Sequence, residues 1–465
     1  MRSKFVALLL VAGVSFVCGC GRTDPQYSYR EGLAPQMQEY VRTSVDQKFG
    51  TPHKIRVWDK LPIQPHAAVA TVAEGSKDTN LVLQVSESLR EIRKGQEVAW
   101  IAGSVMPRGS APVSIDAFDK ETNTLALVSA PALSPKVGDK IVIGPGETLT
   151  HGRLLYAEHC QHCHGVAGDG NGPTAPYLNV RPRDYRKGVF KFTSTKEGKR
   201  AQRSDLAHII DDGIPGTYMP SFKLLKREES QAIIEYVLFL AMRGETEFQT
   251  YNVLKPSYSE ESIATRLKDG EKADEILAEF VKSVKAGEMD EELSPLTDLM
   301  IADWIEAQTP EAAIVPAEKR YLSDAESVKR GRELFLSDKL NCVACHGESG
   351  LGDGVQTYSV TINTDTQKPN TEPGLYDTWG NKIKPRNLRL GMYRGGRRPI
   401  DLYCRIEAGI KGTPMSAFGA KMTEQQKWDL VNYILELPHE DRKPGAGVSP
   451  ASPATPPTPV ASTTH

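Results

Sequence analysis

Apolar residues change their spacing several times along this chain, and each change marks a boundary. An unbroken apolar run at 5–17 follows Arg2 and Lys4. It is too short to cross a bilayer as a mature helix and reads as a signal peptide over 1–19. Residues 20–53 form a tether with one short helix. From 54 to 147 short apolar runs at 81–85, 97–101, 113–118, 124–128 and 140–143 predict five strands between turns, with a hairpin at 118–123. Five such strands are enough for a small barrel or sandwich. Beyond 148 the period becomes helical. Ile233, Tyr236, Val237 and Leu240 make one stripe within 227–242. Leu430, Tyr433, Ile434 and Leu437 make another within 423–437, where Thr423 and Gln426 fit a capping box. Between them Ile276, Leu277, Phe280, Val281 and Val284 stripe a helix whose other face is charged. Residues 247–324 therefore predict a helical linker, divisible near Gly287. The tail at 440–465, rich in Pro, Ala, Ser and Thr, predicts disorder. The fold class is mainly α, with an additional N-terminal β-rich domain.

Chemistry enters with two short runs, C-Q-H-C-H at 160–164 and C-V-A-C-H at 342–346. Each is C-x-x-C-H, the attachment signature of c-type haem. Cys160 with Cys163, and Cys342 with Cys345, are spaced to add across the haem vinyl groups. His164 and His346 follow as proximal iron ligands. A single such run also fits a zinc half-site, but each of these two has its own partner downstream. Residues 213–222 and 409–418 align without a gap as G-I-x-G-T-x-M-x-x-F. Of ten methionines, Met219 and Met415 sit in these Gly- and Pro-rich loops rather than on an apolar face. A thioether there reaches the open axial position of an iron, and Met/His ligation raises the potential, which suits electron transfer.

A third repeat lies between the other two: 182–190 and 385–393 both read P-R-[D/N]-x-R-x-G-x-[F/Y]. Arginine pairs bidentately with carboxylates, and haem carries two propionates. Arg183 or Arg186, and Arg386 or Arg389, are candidate propionate partners, with solvent-facing loop arginines the competing reading. The interval between proximal and distal ligands is longer in the second unit (346 to 415) than in the first (164 to 219). The excess falls largely in 355–382, which predicts a surface loop flanking the second haem edge and shaping a docking surface.

These residues together resemble class I cytochrome c, present twice, at 148–246 and 325–439. The resemblance implies two small helical bundles, each around one covalently bound haem, with the first and last helices crossing closely. Gly152 and Tyr156 precede the first haem site, Gly331 and Phe335 the second. At i,i+4 each pair shares a helix face, where the glycine permits close approach and the aromatic covers the contact. Members of the family usually carry a Pro after the haem histidine, whose carbonyl accepts the imidazole Nδ1–H. Pro173 stands at that place in the first unit. The second reads G-D-G-V-Q at 352–356 and leaves the partner of His346 open.

The stretch Val17-Cys18-Gly19-Cys20 resembles a bacterial lipobox, with Cys20 as the lipidated first mature residue. Of seven cysteines, one leaves with the signal peptide, one takes lipid and four bind haem. Cys404 remains, read as a buried small hydrophobe on the helix before Met415. His53 and His66 are isolated, and Trp100 reads as core. A length of 465 residues leaves room for about three domains. The net charge of -2, without a basic helix, points away from nucleic acid.

The expectation is a dihaem cytochrome c, lipid-anchored at the periplasmic side of a bacterial inner membrane, passing single electrons in a respiratory chain. Its donor would be a quinol-oxidising complex or a dehydrogenase, and its acceptor a terminal oxidase or a soluble cytochrome. No catalytic residue is expected. The alternatives are a dihaem cytochrome c peroxidase, which the two distal methionines oppose, and an obligate haem subunit of a larger respiratory complex.

Overall fold

The computed structural model describes residues 26–58, 60–63, 68–84, 92–101, 113–131, 135–363 and 367–442. The segment expected as a signal peptide, Cys18, Cys20, His66 and the tail beyond 442 lie outside the described residues, as does the side chain of Trp100.

Helix α1 (Pro35–Phe49) comes first. Met37, Val41, Val45 and Phe49 recur every fourth residue and are all buried. The segment expected as a tether is thus a packed helix, its Phe49 meeting Phe239 edge to face at 5.5 Å between centroids. Six strands follow, β1 (Ala68–Thr71), β2 (Asn80–Val82), β3 (Glu97–Ile101), β4 (Val113–Asp119), β5 (Thr124–Leu127) and β6 (Lys140–Ile143). Five match sequence expectations; β1, Ala-Val-Ala-Thr, is too short and small to show an alternation. The strands pair antiparallel in the order β1-β6-β3-β4-β5-β2. Just beyond their ends the two outer strands rejoin: Val72 bridges Leu83, and the Gln84 N–H donates to the Thr71 carbonyl at 2.9 Å. The sheet closes on itself around Leu81, Val98, Ile115, Leu125 and Ile141, which removes the open edges that invite aggregation.

The helical part runs α2 (Pro145–His159), α3 (Gln161–His164), α4 (Arg203–Asp212), α5 (Arg227–Tyr258), α6 (Glu260–Lys268), α7 (Ala273–Ala286), α8 (Glu288–Glu306), α9 (Ala325–Leu336) and α10 (Val343–His346). A two-stranded ribbon, β7 (Leu375–Tyr376) and β8 (Lys382–Ile383), precedes α11 (Pro399–Ala408) and α12 (Glu424–Glu436). The same crossing occurs twice. A β-carbon at Gly152 on α2 would overlap the Ala232 carbonyl on α5, and one at Gly331 on α9 would overlap the Asp429 carbonyl on α12. Beside each glycine an aromatic closes the contact, Tyr156 on Tyr236 at 5.3 Å and Phe335 on Tyr433 at 5.5 Å.

Helix α5 does not stop at Met242, where the apolar period lapses, but continues to Tyr258. Charged groups take over its inner face. Arg243, Glu245 and Glu247 are buried. Glu245 accepts from Trp304 Nε1 at 2.8 Å and pairs with Arg200 at 2.5 Å, while Arg243 pairs with Glu247 at 3.4 Å. Partnered charges are tolerated in a core, but no hydrophobic period reveals them. Ile276 and Phe280 on α7 and Trp304 on α8 join the same core as α1, α2, α4 and α5. Val281, part of the expected stripe, is exposed. The 247–324 segment therefore completes the first unit, and a division at Gly287 cuts through its core. The second unit has its own core, from Ile314 to Leu437.

Candidate functional site

Both C-x-x-C-H runs are single helical turns. The His164 N–H bonds the Cys160 carbonyl at 2.9 Å, and the His346 N–H the Cys342 carbonyl at 2.9 Å. This turn places two sulfurs and one imidazole on a common side. The Nδ1 of His164 lies 3.2 Å from the Arg183 carbonyl, and that of His346 lies 3.4 Å from the Arg386 carbonyl. A carbonyl only accepts, so Nδ1 carries the proton and Nε2 keeps its lone pair for a metal. Burial pulls His164 down to about 4 and lowers His346, which favours the neutral ring in both. These contacts correct the expectation for Pro173 and supply the partner left open for His346. In both units the acceptor is the arginine of the P-R repeat, acting through its backbone. Burial also pushes the Cys160 thiol up to about 12 and Cys342 up to about 11. Among the described residues no three of His, Cys, Asp and Glu gather into a metal-holding cluster.

The distal loops match bond for bond. The Ile214 N–H donates to the Met219 carbonyl at 3.1 Å, and the Ile410 N–H to the Met415 carbonyl at 3.0 Å. Thr217 and Thr413 each bond back to the preceding Ile carbonyl, at 2.8 and 2.7 Å, and accept the methionine N–H at 3.1 and 3.2 Å. Phe222 and Phe418 tie the loops to Ile210 and Ile406 on the leading helices α4 and α11. The sequence identity G-I-x-G-T-x-M-x-x-F is thus the same hydrogen-bonded frame used twice.

The four candidate arginines divide evenly. Arg186 forks onto Asp184, with Nε to Oδ1 at 3.0 Å and Nη2 to Oδ2 at 2.9 Å. Arg389 binds Glu440 at 2.9 Å and the Ser349 carbonyl at 2.8 Å. These two are committed to protein partners. Arg183 stacks on the Trp379 ring, its guanidinium carbon 3.7 Å from the centroid. Arg386 donates Nε–H to the Met392 carbonyl at 2.7 Å and lines the second-unit cavity.

That cavity, about 230 Å³, is bordered by Cys342, Cys345, His346 and Met415, with an apolar wall. Two further arginines line it. Arg405 on α11 donates to the Gly395 and Gly396 carbonyls at 3.0 and 2.5 Å. Arg394 has a buried Nε without a hydrogen-bond partner. Neither was singled out by the sequence, although Arg394 opens a basic run at 394–398 directly after the third repeat. An apolar slot with an unanswered guanidinium N–H fits an apolar macrocycle that carries carboxylates. Lys191 and Phe192 of the first unit also reach this cavity.

The Cytochrome c family matches the chain at residues 149–241 and again at 328–438. Among solved structures, a chain of the reducing HAO-like protein complex of Kuenenia stuttgartiensis is similar at 22% identity and a TM-score of 0.42, covering 62% of this chain and 95% of that one. No curated protein matches. The family matches span both repeated frames, and such domains imply c-type haem. This chain carries two helical cytochrome c domains and a small N-terminal β-sheet region.

Proposed function

We propose that the protein is a single-electron carrier with two covalent haems. Cys160 and Cys163 hold the first, ligated by His164 and Met219; Cys342 and Cys345 hold the second, ligated by His346 and Met415. The observation that carries this reading is the duplicated distal frame, in which Thr217 and Thr413 fix the two methionine backbones identically. A thioether on each iron favours the ferrous state and leaves neither iron an open position for peroxide. Arg183 and Arg386, free of carboxylate partners among the described residues, are the propionate candidates. The reading extends to a lipid anchor at Cys20 on the periplasmic side of an inner membrane. Electrons would come from a quinol-oxidising complex or dehydrogenase and leave to a terminal oxidase or soluble cytochrome.

The test is spectroscopic. The purified oxidised protein is expected to hold two low-spin haems and to show the weak red absorption of methionine-bound ferric haem. Met219→Ala and Met415→Ala should each remove about half of that band and lower one midpoint potential. A parent protein with one high-spin haem and rapid peroxide turnover would overturn the carrier in favour of the peroxidase.

A further inference from the structure

The two haem units meet through equivalent parts. A β-carbon at Gly216, in the first distal loop, would crowd Arg386 Nη2 and Met392 Sδ of the second unit. Gly412, the counterpart of Gly216, lies against the ring of Trp379. That ring in turn carries the guanidinium of Arg183, the counterpart of Arg386. The first distal loop thus faces the arginine segment of the second unit directly, and the second reaches that of the first through Trp379. Those segments hold the two proximal imidazoles through Arg183 and Arg386.

The symmetry breaks at Trp379. It stands in the 355–382 insertion, which the first unit lacks, and residues of the first unit grip the tip that bears it. Lys187 Nζ donates to the Thr378 carbonyl at 2.9 Å. Lys191 pairs at 3.3 Å with Asp377, which is buried and also accepts the Trp379 backbone N–H at 3.1 Å. Within the insertion expected to flank the second haem edge and shape a docking surface, this tip lies in the seam between the units. There the indole Nε1 is buried without a hydrogen-bond partner. The ring edge against Gly412 is Cζ3 and Cη2, the edge farthest from Nε1. The N–H is therefore turned away from the second unit's distal loop. Arg183 lies flat on the ring, a stacking that leaves its in-plane N–H groups able to donate. Burial pulls Arg183 down to about 10 against the nearby carboxylates of Asp377 and Asp184, neither of which forms an ion pair with it.

We propose that Trp379 Nε1 and the Arg183 guanidinium form one carboxylate site for a propionate of the first-unit haem, half of it supplied across the interface by the second unit. The site rests on the two-haem reading above. It gives the first haem a hydrogen-bond donor that its own domain does not encode, so the first haem's potential depends on the second unit's insertion. Removing the N–H leaves more negative charge beside the iron, which stabilises the ferric state and lowers the potential. It also raises the propionate pKa, because a hydrogen bond to a carboxylate favours its ionised form.

The experiment is a redox titration of the whole haem-loaded protein and its Trp379→Phe variant between pH 5 and 8. Met219→Ala identifies the component that belongs to the first haem. Trp379→Phe keeps the ring on Arg183 and is expected to lower that component alone and steepen its pH dependence. Trp379→His, which returns a ring N–H, is expected to move it back toward the parent. An unmoved first component in a fully loaded Phe variant overturns the site, as does a shift confined to the second haem or a His variant displaced as far as the Phe variant. A parent without two covalent haems instead refutes the carrier reading, so the two failures are distinguishable.

Discussion

In the first cytochrome c unit the closing helix α5 is braced by α1, α2, α4, α6 and α8, and in the second α12 packs mainly on α9 and α11. Their crossings are alike at Gly152 and Gly331, so the difference lies outside the haem frame. The first unit draws in chain from both sides: the Leu33 backbone bridges Ser259, and Trp304 packs on Phe190 at 6.3 Å between centroids. The second spends its additional residues on the 355–382 insertion and on the seam. A haem frame of fixed geometry tolerates quite different supports, and the support decides where each unit can be cut and how it responds to pH.

Dividing the chain gives the largest effect. A first-unit fragment ending at 287 lacks Met300, Ile301 and Trp304, all buried in its core. Removing a single buried Trp side chain costs about 3–5 kcal/mol, and here three large residues leave together. That fragment is expected to fail to hold haem. One ending at 315 should mature, and the 316–442 piece, which keeps its core apart from Ile314, should load the second haem. Covalent haem assayed on each purified fragment decides this. A stable, loaded fragment ending at 287 would show that α8 is only a spacer.

The sequence showed the frame better than the support, for physical reasons. The haem-binding turn and distal loop are local: Cys, His, Gly, Thr and Met lie within one loop each, so their spacing carries their geometry. The P-R repeat was visible, but half of its work is done by the Arg183 and Arg386 carbonyls, which no side-chain code announces. Helix α5 looked shorter because Arg243, Glu245 and Glu247 bury charge instead of apolar surface. Trp379 was legible only as one residue of a polar loop, since its contacts lie with residues far away along the chain.

The pH response sharpens the comparison, because a buried acid on each closing helix shifts in the opposite sense. Burial pushes Glu245 up to about 7 despite Arg200 and the Trp304 N–H. A raised acid contributes stability below its ordinary value of 4.5 that is lost as pH rises through about 7. Burial also pushes Asp429 upward, but hydrogen bonds from Arg330 and Tyr321 outweigh it and hold the carboxyl below its ordinary value. Its contribution is present above 3.8 and disappears as pH falls through the lowered value. The loaded first-unit fragment should therefore lose roughly 2–3 kcal/mol between pH 4.5 and 7. The second should weaken only in acid. Thermal melting against pH, followed in the haem absorption, tests both slopes. Glu245→Gln should flatten the first, and a first unit most stable at neutral pH would remove the contrast.

The smallest expected effect lies where α4 and α11 overlay. Asp205 and Asp401 close the same N-terminal capping box, with Leu206 matching Leu402 and Ile210 matching Ile406. Cys404 then falls opposite His208. His208 is partly exposed and bonds Asp212 at 3.0 Å, one turn on. Cys404 is 4% exposed, and burial pushes its thiol up to about 12. At neutral pH it is a packed, protonated sulfur with no thiolate to react. Cys404→Ala should cost the second unit roughly 1 kcal/mol for one deleted buried atom, and leave both midpoint potentials where they were. His208→Ala, away from any core, should stay within about 0.5 kcal/mol. In the folded, haem-loaded 316–442 fragment a thiol reagent should label Cys404 only at the rate of unfolding. Fast labelling of that fragment would mean that α11 opens on its own, and the second unit would then be the looser of the two at its distal side.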